Sequence, residues 1–388
     1  MRNILVVVGE SSGELYAELF LKAWKKRGGE EVSFWGIGGE RTSSQGMEAV
    51  GRVAELSLLG LWEILRGIPR IFALKRKILK EAALRRPSAA LLIDSPDFNL
   101  PLAKGLKAMG IPVLIYVSPT VWAWRYGRVK TLRRVAEKVL LLYPFEEKIL
   151  REAGVPCRFI GHPLLTEVRG EGGEGNGRRV KEVLLLPGSR VSELKRHTDP
   201  LLKAVTALEE SLGEEVRFTL LQAPYLSESL FAPFRIAGVT LSSGPKYPLM
   251  ERADLVLASS GTANLEIALM GRPMVVFYRV STPTYLLGRI LLKVRSISIV
   301  NLLLGKRVVP EVIQGDFTGE RLAGLALELL KDPSRAEAQV KAFEEIKRAY
   351  DGVGDPSGSV VEEVSLLLAR EGRPGKESPP PPVPRNVT

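Results

Sequence analysis

The feature that most constrains the fold of this chain is a repeated alternation. Short, unbroken apolar runs occur at 3–8 (NILVVV), 32–37 (VSFWGI), 89–93 (AALLI), 112–117 (PVLIYV), 138–143 (KVLLLY) and 157–161 (CRFIG), with amphipathic segments between them. A strand that is apolar on both faces must be covered on both, as happens when helical crossovers connect parallel strands. The pattern stops at RGEGGEGNGRR (169–179), a polar, glycine-rich stretch that reads as a linker. It then restarts with EVLLLP (182–187), VRFTLL (216–221), GVTL (238–241), DLVLA (254–258) and PMVVFY (273–278). The expected fold is α/β, with two doubly wound domains facing each other across a cleft. The 388 residues suffice for both at roughly 100–200 residues per domain. The expected boundaries are 1–165 and 180–350, with a helix at 351–370 packing back on the first domain and a disordered, proline-rich tail at 371–388.

Composition narrows the chemistry. A lone cysteine, Cys157, excludes an internal disulfide and a thiolate zinc cage. With His162 and His197 the only histidines and no Asp-x-Asp pair, the expectation is chemistry without a metal or other cofactor. The 55 basic against 44 acidic residues give a formal charge of +11, which suits an anionic partner. No zinc-finger spacing, RRM signature or KH loop is visible, so a nucleic acid is not expected. The opening MRNILVVVGE is too short in apolar residues for a signal peptide or a membrane span, so the expected location is the cytoplasm.

Several turns between strand and helix can carry chemistry. In GESSGE (9–14), Gly9 and Gly13 allow a tight turn with close backbone approach, while Glu10 and Glu14 would repel a pyrophosphate. The stretch suits a hydroxylated acceptor; the alternative is Ser12 as a helix N-cap with Glu14 in the first turn. In LLIDSPDFN (91–99), Asp94 emerges from a strand where partial desolvation favours a general base, and Asp97 suits a turn or cap. In LLLPGSRVSELKRH (184–197), the helix after Ser189 together with Arg190 can hold a diphosphate. In SSGTANLE (259–266), Gly261 and Thr262 open a helix, and Glu266 can take both hydroxyls of a ribose.

Two apolar stretches are harder to account for. In SPTVWAWRYGR (118–128), Trp122 and Trp124 either pack between sheet and helix or border a cleft, where Arg125 and Arg128 would offer charge to a phosphate. Residues 56–86 carry Leu58, Leu61, Leu65, Ile68 and Phe72 at helical spacing, and Pro69 suggests two short helices rather than one. Either this segment faces the core, or Leu59, Trp62, Ile64 and Ile71 leave an apolar face beside eight cations that would meet anionic lipid or acyl chains.

In this order, GESSGE, LLIDSPDFN, SPTVWAWRYGR, LYPFE (142–146), PCRFIGHP (156–163), LLPGSR (185–190), SSGTANLE and MVVFYRVS (274–281) closely resemble the lipid-A-disaccharide synthases. The likeness runs from about Asn3 to about Leu368. That family implies the GT-B fold, two Rossmann-like domains facing across a cleft, and an inverting glycosyl transfer. The donor would be UDP-2,3-diacylglucosamine, the acceptor 2,3-diacylglucosamine 1-phosphate, and the products a β-1,6-linked disaccharide 1-phosphate and UDP. Residue by residue, the resemblance puts Asp94 at the essential aspartate, Glu10 and Ser12 in the acceptor-side turn, and Arg190, Glu266 and Asn301 on the donor side. Ser189, Gly261, Thr262 and Asn264 complete the donor set; Leu58, Leu59, Leu61, Trp62, Leu65, Ile68 and Phe72 form the acyl or membrane contact. The implied location is peripheral, on the inner face of the inner membrane, with a second copy of the chain as a candidate partner. Glu14, Thr120 and Val300 depart from the family's usual Asp, Ser and Pro, and Val300 leaves the aim of Asn301 open. Rivals are another UDP-sugar enzyme of the same fold, or a non-catalytic protein binding the membrane surface.

Overall fold

The computed structural model describes residues 2–28, 31–56, 61–122, 125–167, 180–223, 226–291 and 296–371, with residues 11, 12, 54, 61–68, 287, 288, 290, 291 and 371 described by backbone alone. The linker at 169–179, Trp124, Leu58, Leu59 and all but the first residue of the proline-rich tail lie outside this set. The chain divides into two compact units, residues 1–163 with 352–388, and residues 164–351.

Unit 1 alternates strand and helix: β1 (Arg2–Val8), α1 (Ser11–Arg27), β2 (Val32–Gly38), α2 (Glu40–Ser44), β3 (Glu48–Arg52), α3 (Leu61–Arg85), β4 (Ala89–Ile93), α4 (Pro96–Ala108), β5 (Val113–Tyr116), α5 (Arg128–Val135), β6 (Lys138–Leu141), α6 (Pro144–Glu152) and β7 (Cys157–Phe159). The strands form one sheet in the order β3-β2-β1-β4-β5-β6-β7, and every pairing is parallel. Ile4 to Val8 and Leu91 to Ile93 have no solvent exposure, as strands covered on both faces require. Strand β3 was not foreseen: EAVGR has one buried residue and no apolar run.

The segment 56–86 forms one helix, not two, from Leu61 onward, with Pro69 inside it. An internal proline costs about 3 kcal/mol in lost hydrogen bonding and crowding. Burial of Leu74, Ile78 and Ala82 further along the same helix offsets it, at about 1.5–3 kcal/mol for each large apolar side chain. The C-terminal part of α3 is therefore core, while Phe72 stays 59% exposed. Helix α1 starts at Ser11 with Glu10 as N-cap, so Ser12 is already the second helical residue and not the cap.

Unit 2 holds α7 (Leu164–Glu167), β8 (Lys181–Leu186), α8 (Val191–Leu212), β9 (Val216–Leu221), α9 (Ala232–Ile236), β10 (Thr240–Ser242), α10 (Lys246–Arg252), β11 (Leu255–Ser259), α11 (Ala263–Leu269), β12 (Met274–Tyr278), α12 (Thr282–Leu291), α13 (Ile299–Leu304), β13 (Glu311–Ile313), α14 (Gly319–Lys331) and α15 (Pro333–Ala349). Its parallel sheet has the order β10-β9-β8-β11-β12-β13, the same winding as in unit 1. The last helix, α16 (Pro356–Glu371), returns to unit 1. There Glu363 pairs with Lys138 at 2.6 Å and Arg158 at 2.9 Å, and Val360, Val361 and Val364 join the core.

Candidate active site

In an open parallel sheet, ligands bind at the carboxyl ends of the two strands between which the winding direction reverses. In unit 1 these are β1 and β4, followed by GESSGE and by DSPDFN. The two turns touch: the Gly9 N–H donates to Ile93 O at 3.2 Å, and a Cβ on Gly9 would lie 2.0 Å from Ser95 Cβ. Only glycine permits this approach.

The candidate base is held in a strained backbone. Asp94 and Ser95 adopt φ of 57° and 41°, a left-handed region costing non-glycine residues about 1–3 kcal/mol each. Asn99, 2% exposed, donates through Nδ2 to Ile93 O at 3.1 Å and Asp94 O at 2.7 Å, which fixes the turn. Asp94 is half-buried, and its Oδ1 accepts the Ser95 N–H at 2.8 Å. Glu10 is exposed at the start of α1; the side chain of Ser12 is outside the described set. Glu14 points away from the turn and accepts the Arg41 N–H at 3.0 Å, capping α2.

The SPTVWAWRYGR loop is pinned beside this turn. Asp97, exposed in the first turn of α4, accepts from Arg125 at 2.8 Å and from Arg128, so both candidate phosphate ligands start out paired. Trp122 is half-buried and donates its indole N–H to Glu146 Oε1 at 3.1 Å, while its ring meets Phe145 edge-on at 5.1 Å. Glu146 is 2% exposed, and its Oε2 accepts the Tyr143 N–H at 3.3 Å. Burial pushes its carboxyl up to about 8, against the opposing pull of Trp122 and two backbone N–H groups. Burial, Glu146 and Asp94 together raise the Tyr143 phenol. Glu146 was not singled out as a site residue; only its place in LYPFE drew notice.

In unit 2 the winding reverses between β8 and β11, followed by PGSR and SSGTANLE. Gly188 has φ 117°, and its turn is closed by Glu193, which accepts the Ser189 N–H at 3.2 Å and pairs with Arg190 at 3.5 Å. Ser189 and Arg190 are exposed, and Arg190 is the N-cap of α8. In the second turn Gly261 is exposed and Thr262 is the N-cap of α11. Glu266, 3% exposed, accepts from Lys246 Nζ at 2.5 Å and Tyr247 OH at 3.5 Å, both on the same oxygen. Lys246 and Tyr247, twenty residues upstream, carry no motif that names them.

Two donor-side candidates are bonded within the protein. Asn264 is fully buried and holds its own turn, accepting the Gly261 N–H at 3.3 Å and donating to Ser259 O at 3.1 Å. Asn301, 2% exposed, donates to Val309 O and Glu311 Oε1 and accepts from Val308 and Val309 N–H, at 2.7–2.8 Å. An amide has four hydrogen-bonding positions, and Asn301 uses all of them internally, so a direct contact with a ligand would require one of these bonds to open. The Val300 departure is absorbed locally: Ser298 Oγ accepts the Val300 N–H, which a proline would lack, at 3.3 Å.

Among solved structures, a putative UDP-N-acetylglucosamine 2-epimerase from Listeria monocytogenes superposes with TM-score 0.66 over 96% of this chain and 98% of its own, at 14% identity. MurG of Acinetobacter baumannii does so with TM-score 0.57 over 94% and 100%, also at 14%. Two doubly wound units with paired turns at each reversal point make this a protein of the GT-B class. The sequence profile described as lipid-A-disaccharide synthetase matches residues 4–354. The lipid-A-disaccharide synthase of Anaeromyxobacter sp. (strain K) is 40% identical over 375 residues, covering 93% of this chain and 96% of that one. The one from Myxococcus xanthus (strain DK1622) is 42% identical over 332 residues, covering 83% and 86%. This chain belongs to the lipid-A-disaccharide synthase family, glycosyltransferases of lipid A biosynthesis.

Proposed function

We propose that this chain transfers 2,3-diacylglucosamine from its UDP conjugate to the 6-hydroxyl of 2,3-diacylglucosamine 1-phosphate with inversion, unit 1 serving the acceptor and unit 2 the donor. The observation that carries this division is that each unit places its own pair of motif turns at the reversal point of its own sheet. In unit 2 the Ser189–Arg190 turn would receive the diphosphate, with the α8 N-terminus favouring negative charge and Arg190 adding a guanidinium. Glu266 would take the ribose hydroxyls, its carboxyl group steered by Lys246 and Tyr247. In unit 1 Asp94 would remove the 6-hydroxyl proton as that oxygen attacks the anomeric carbon and the C–O bond to UDP breaks. Such base catalysis typically contributes about 10²- to 10⁴-fold. The Arg125–Asp97–Arg128 group can exchange one of its ion pairs for the acceptor's 1-phosphate.

The membrane reading rests on α3. Its backbone is helical through Leu61, Trp62, Leu65 and Ile68, although their side chains lie outside the described set. Beyond them Arg70, Phe72, Arg76 and Lys77 are all exposed, an apolar ring among cations. No helix among the described residues is long and apolar enough to cross a membrane, so contact through this face would be peripheral, at the inner surface of the inner membrane. The decisive assay is UDP release with diacylated donor and acceptor in mixed micelles. Wild type is expected to turn over, and Asp94→Asn to lose about 10²- to 10⁴-fold in kcat with donor KM little changed. An Asp94→Asn enzyme as fast as wild type would remove Asp94 from the mechanism.

A further inference from the structure

His197 sits in the second turn of α8 with no solvent exposure. Its Nδ1 is 2.7 Å from Pro187 O, and the Arg279 N–H donates to its Nε2 at 3.1 Å. A backbone N–H can only donate, so Nε2 must carry the lone pair, and the proton is on Nδ1, donated to the Pro187 carbonyl. The partners thus fix both the tautomer and the neutral state of the ring. The ring joins the end of β8, where the Pro187–Arg190 turn begins, to the residue that follows β12. Phe277 and Phe317 close on it edge-on at 5.2 and 5.6 Å, and Tyr278 lies at 5.8 Å.

We infer that His197 is a positioning residue of the donor half-site: by bridging Pro187 and Arg279 while neutral, it holds the turn that receives the nucleoside diphosphate. The inference rests on the donor role proposed for unit 2. Protonation would put an N–H on Nε2 against the Arg279 N–H, and the bridge would open on the β12 side. The surroundings favour the neutral ring, since burial holds its pKa below the ordinary value and the charge of the Arg279 guanidinium acts in the same direction. Glu193, four residues back on α8, and the Pro187 carbonyl oppose that shift. From β12, the Tyr278 hydroxyl faces Glu193 at 3.3 Å. The Arg279 guanidinium is tied to the carbonyls of Gln314 and Phe317 and lies over the Phe317 ring at 5.2 Å, while Gln314 contributes a neutral amide bonded to Val280.

The test uses the full-length chain with His197→Leu, which fills the space but cannot bridge, and His197→Gln, whose amide can both donate and accept and does not titrate. For folded His197→Leu at pH 7.5, donor KM and UDP dissociation constant are expected to rise about tenfold or more, with acceptor KM unchanged. For wild type, donor KM is expected to climb as pH falls below about 6.5, the ordinary histidine range, and in His197→Gln this acid limb should be flat. A UDP affinity within twofold of wild type in folded His197→Leu, or an acid limb that persists in His197→Gln, would overturn the assignment. Should His197→Leu fail to fold, the His197→Gln profile decides alone. If wild type released no UDP in the transfer assay yet His197→Leu still weakened UDP binding, the transfer reading would fall and this one would stand.

Discussion

Replacing Glu146 by glutamine probes the most perturbed carboxyl of the candidate acceptor half. Its pKa is raised from 4.5 to about 8, chiefly because the group is buried. The folded chain keeps this proton between those values and the unfolded chain releases it. The resulting stabilisation is complete below about pH 4.5 and is lost as pH rises through about 8. At about 1.4 kcal/mol per pH unit, holding a proton across that interval is worth on the order of 5 kcal/mol. Glutamine removes the titration. Its carbonyl can still accept from Trp122, but its NH₂ then faces the Tyr143 N–H, a mismatch costing about 1–3 kcal/mol. The variant should be less stable than wild type at pH 5 and more stable at pH 8.5, with the two curves crossing between about pH 5 and 7. Urea unfolding followed by tryptophan fluorescence reads unit 1 selectively, because all five tryptophans, at positions 24, 35, 62, 122 and 124, precede residue 163. Taking the difference between the two proteins at each pH cancels every other titrating group. A difference that stays within about 1 kcal/mol from pH 5 to 8.5 would show that Glu146 does not hold its proton in the fold, and the burial argument would be wrong.

Two further outcomes follow from the same geometry. Gly9→Ala places a methyl 2.0 Å from Ser95 Cβ, so the Asp94 turn must move; the expected cost is about 1–3 kcal/mol, with kcat falling about 10²-fold and donor KM unchanged. Thermal melts and steady-state kinetics check it, and a wild-type kcat would mean the turn's position is irrelevant to transfer. Substituting Phe72 by Ser and Arg70, Arg76 and Lys77 by Glu should abolish flotation with vesicles rich in anionic lipid, at about 1 kcal/mol per basic residue removed. Unchanged flotation would assign that face to another role.

The fold was legible because it rests on local patterning. Each strand buried on both faces announces itself as an apolar run, and β1, β4, β8, β11 and β12 all appear where those runs stand. Strands β3 and β13 escaped for the converse reason: as edge strands of three to five residues they pair on one side and need no continuous apolar surface. The site was legible only in part. GESSGE, DSPDFN, PGSR and SSGTANLE identify turns, because a strand-to-helix turn has local requirements. What those turns lean on comes from far away in sequence: Lys246 and Tyr247 on Glu266, Arg279 on His197, Trp122 on Glu146. No local window contains such pairs.

Some of the motif letters serve the turn itself. Asn99 in α4, Glu146 in α6, Glu193 in α8 and Asn264 in α11 each lie within the first four residues of a helix that follows a strand. Each is at most 9% exposed, and each turns back to bond the main chain of its own turn. A backbone bent that sharply at a strand end leaves polar groups that water cannot reach, and a short polar side chain one helical turn on is the nearest available partner. Residues before the helix, among them Glu10, Ser189, Arg190 and Gly261, are exposed instead. Asn264 sits within a functional motif and also holds its own turn. Asp97 also lies in the first turn of α4, but Ser95 and Asn99 already close that turn, so its carboxylate is released outward to Arg125 and Arg128.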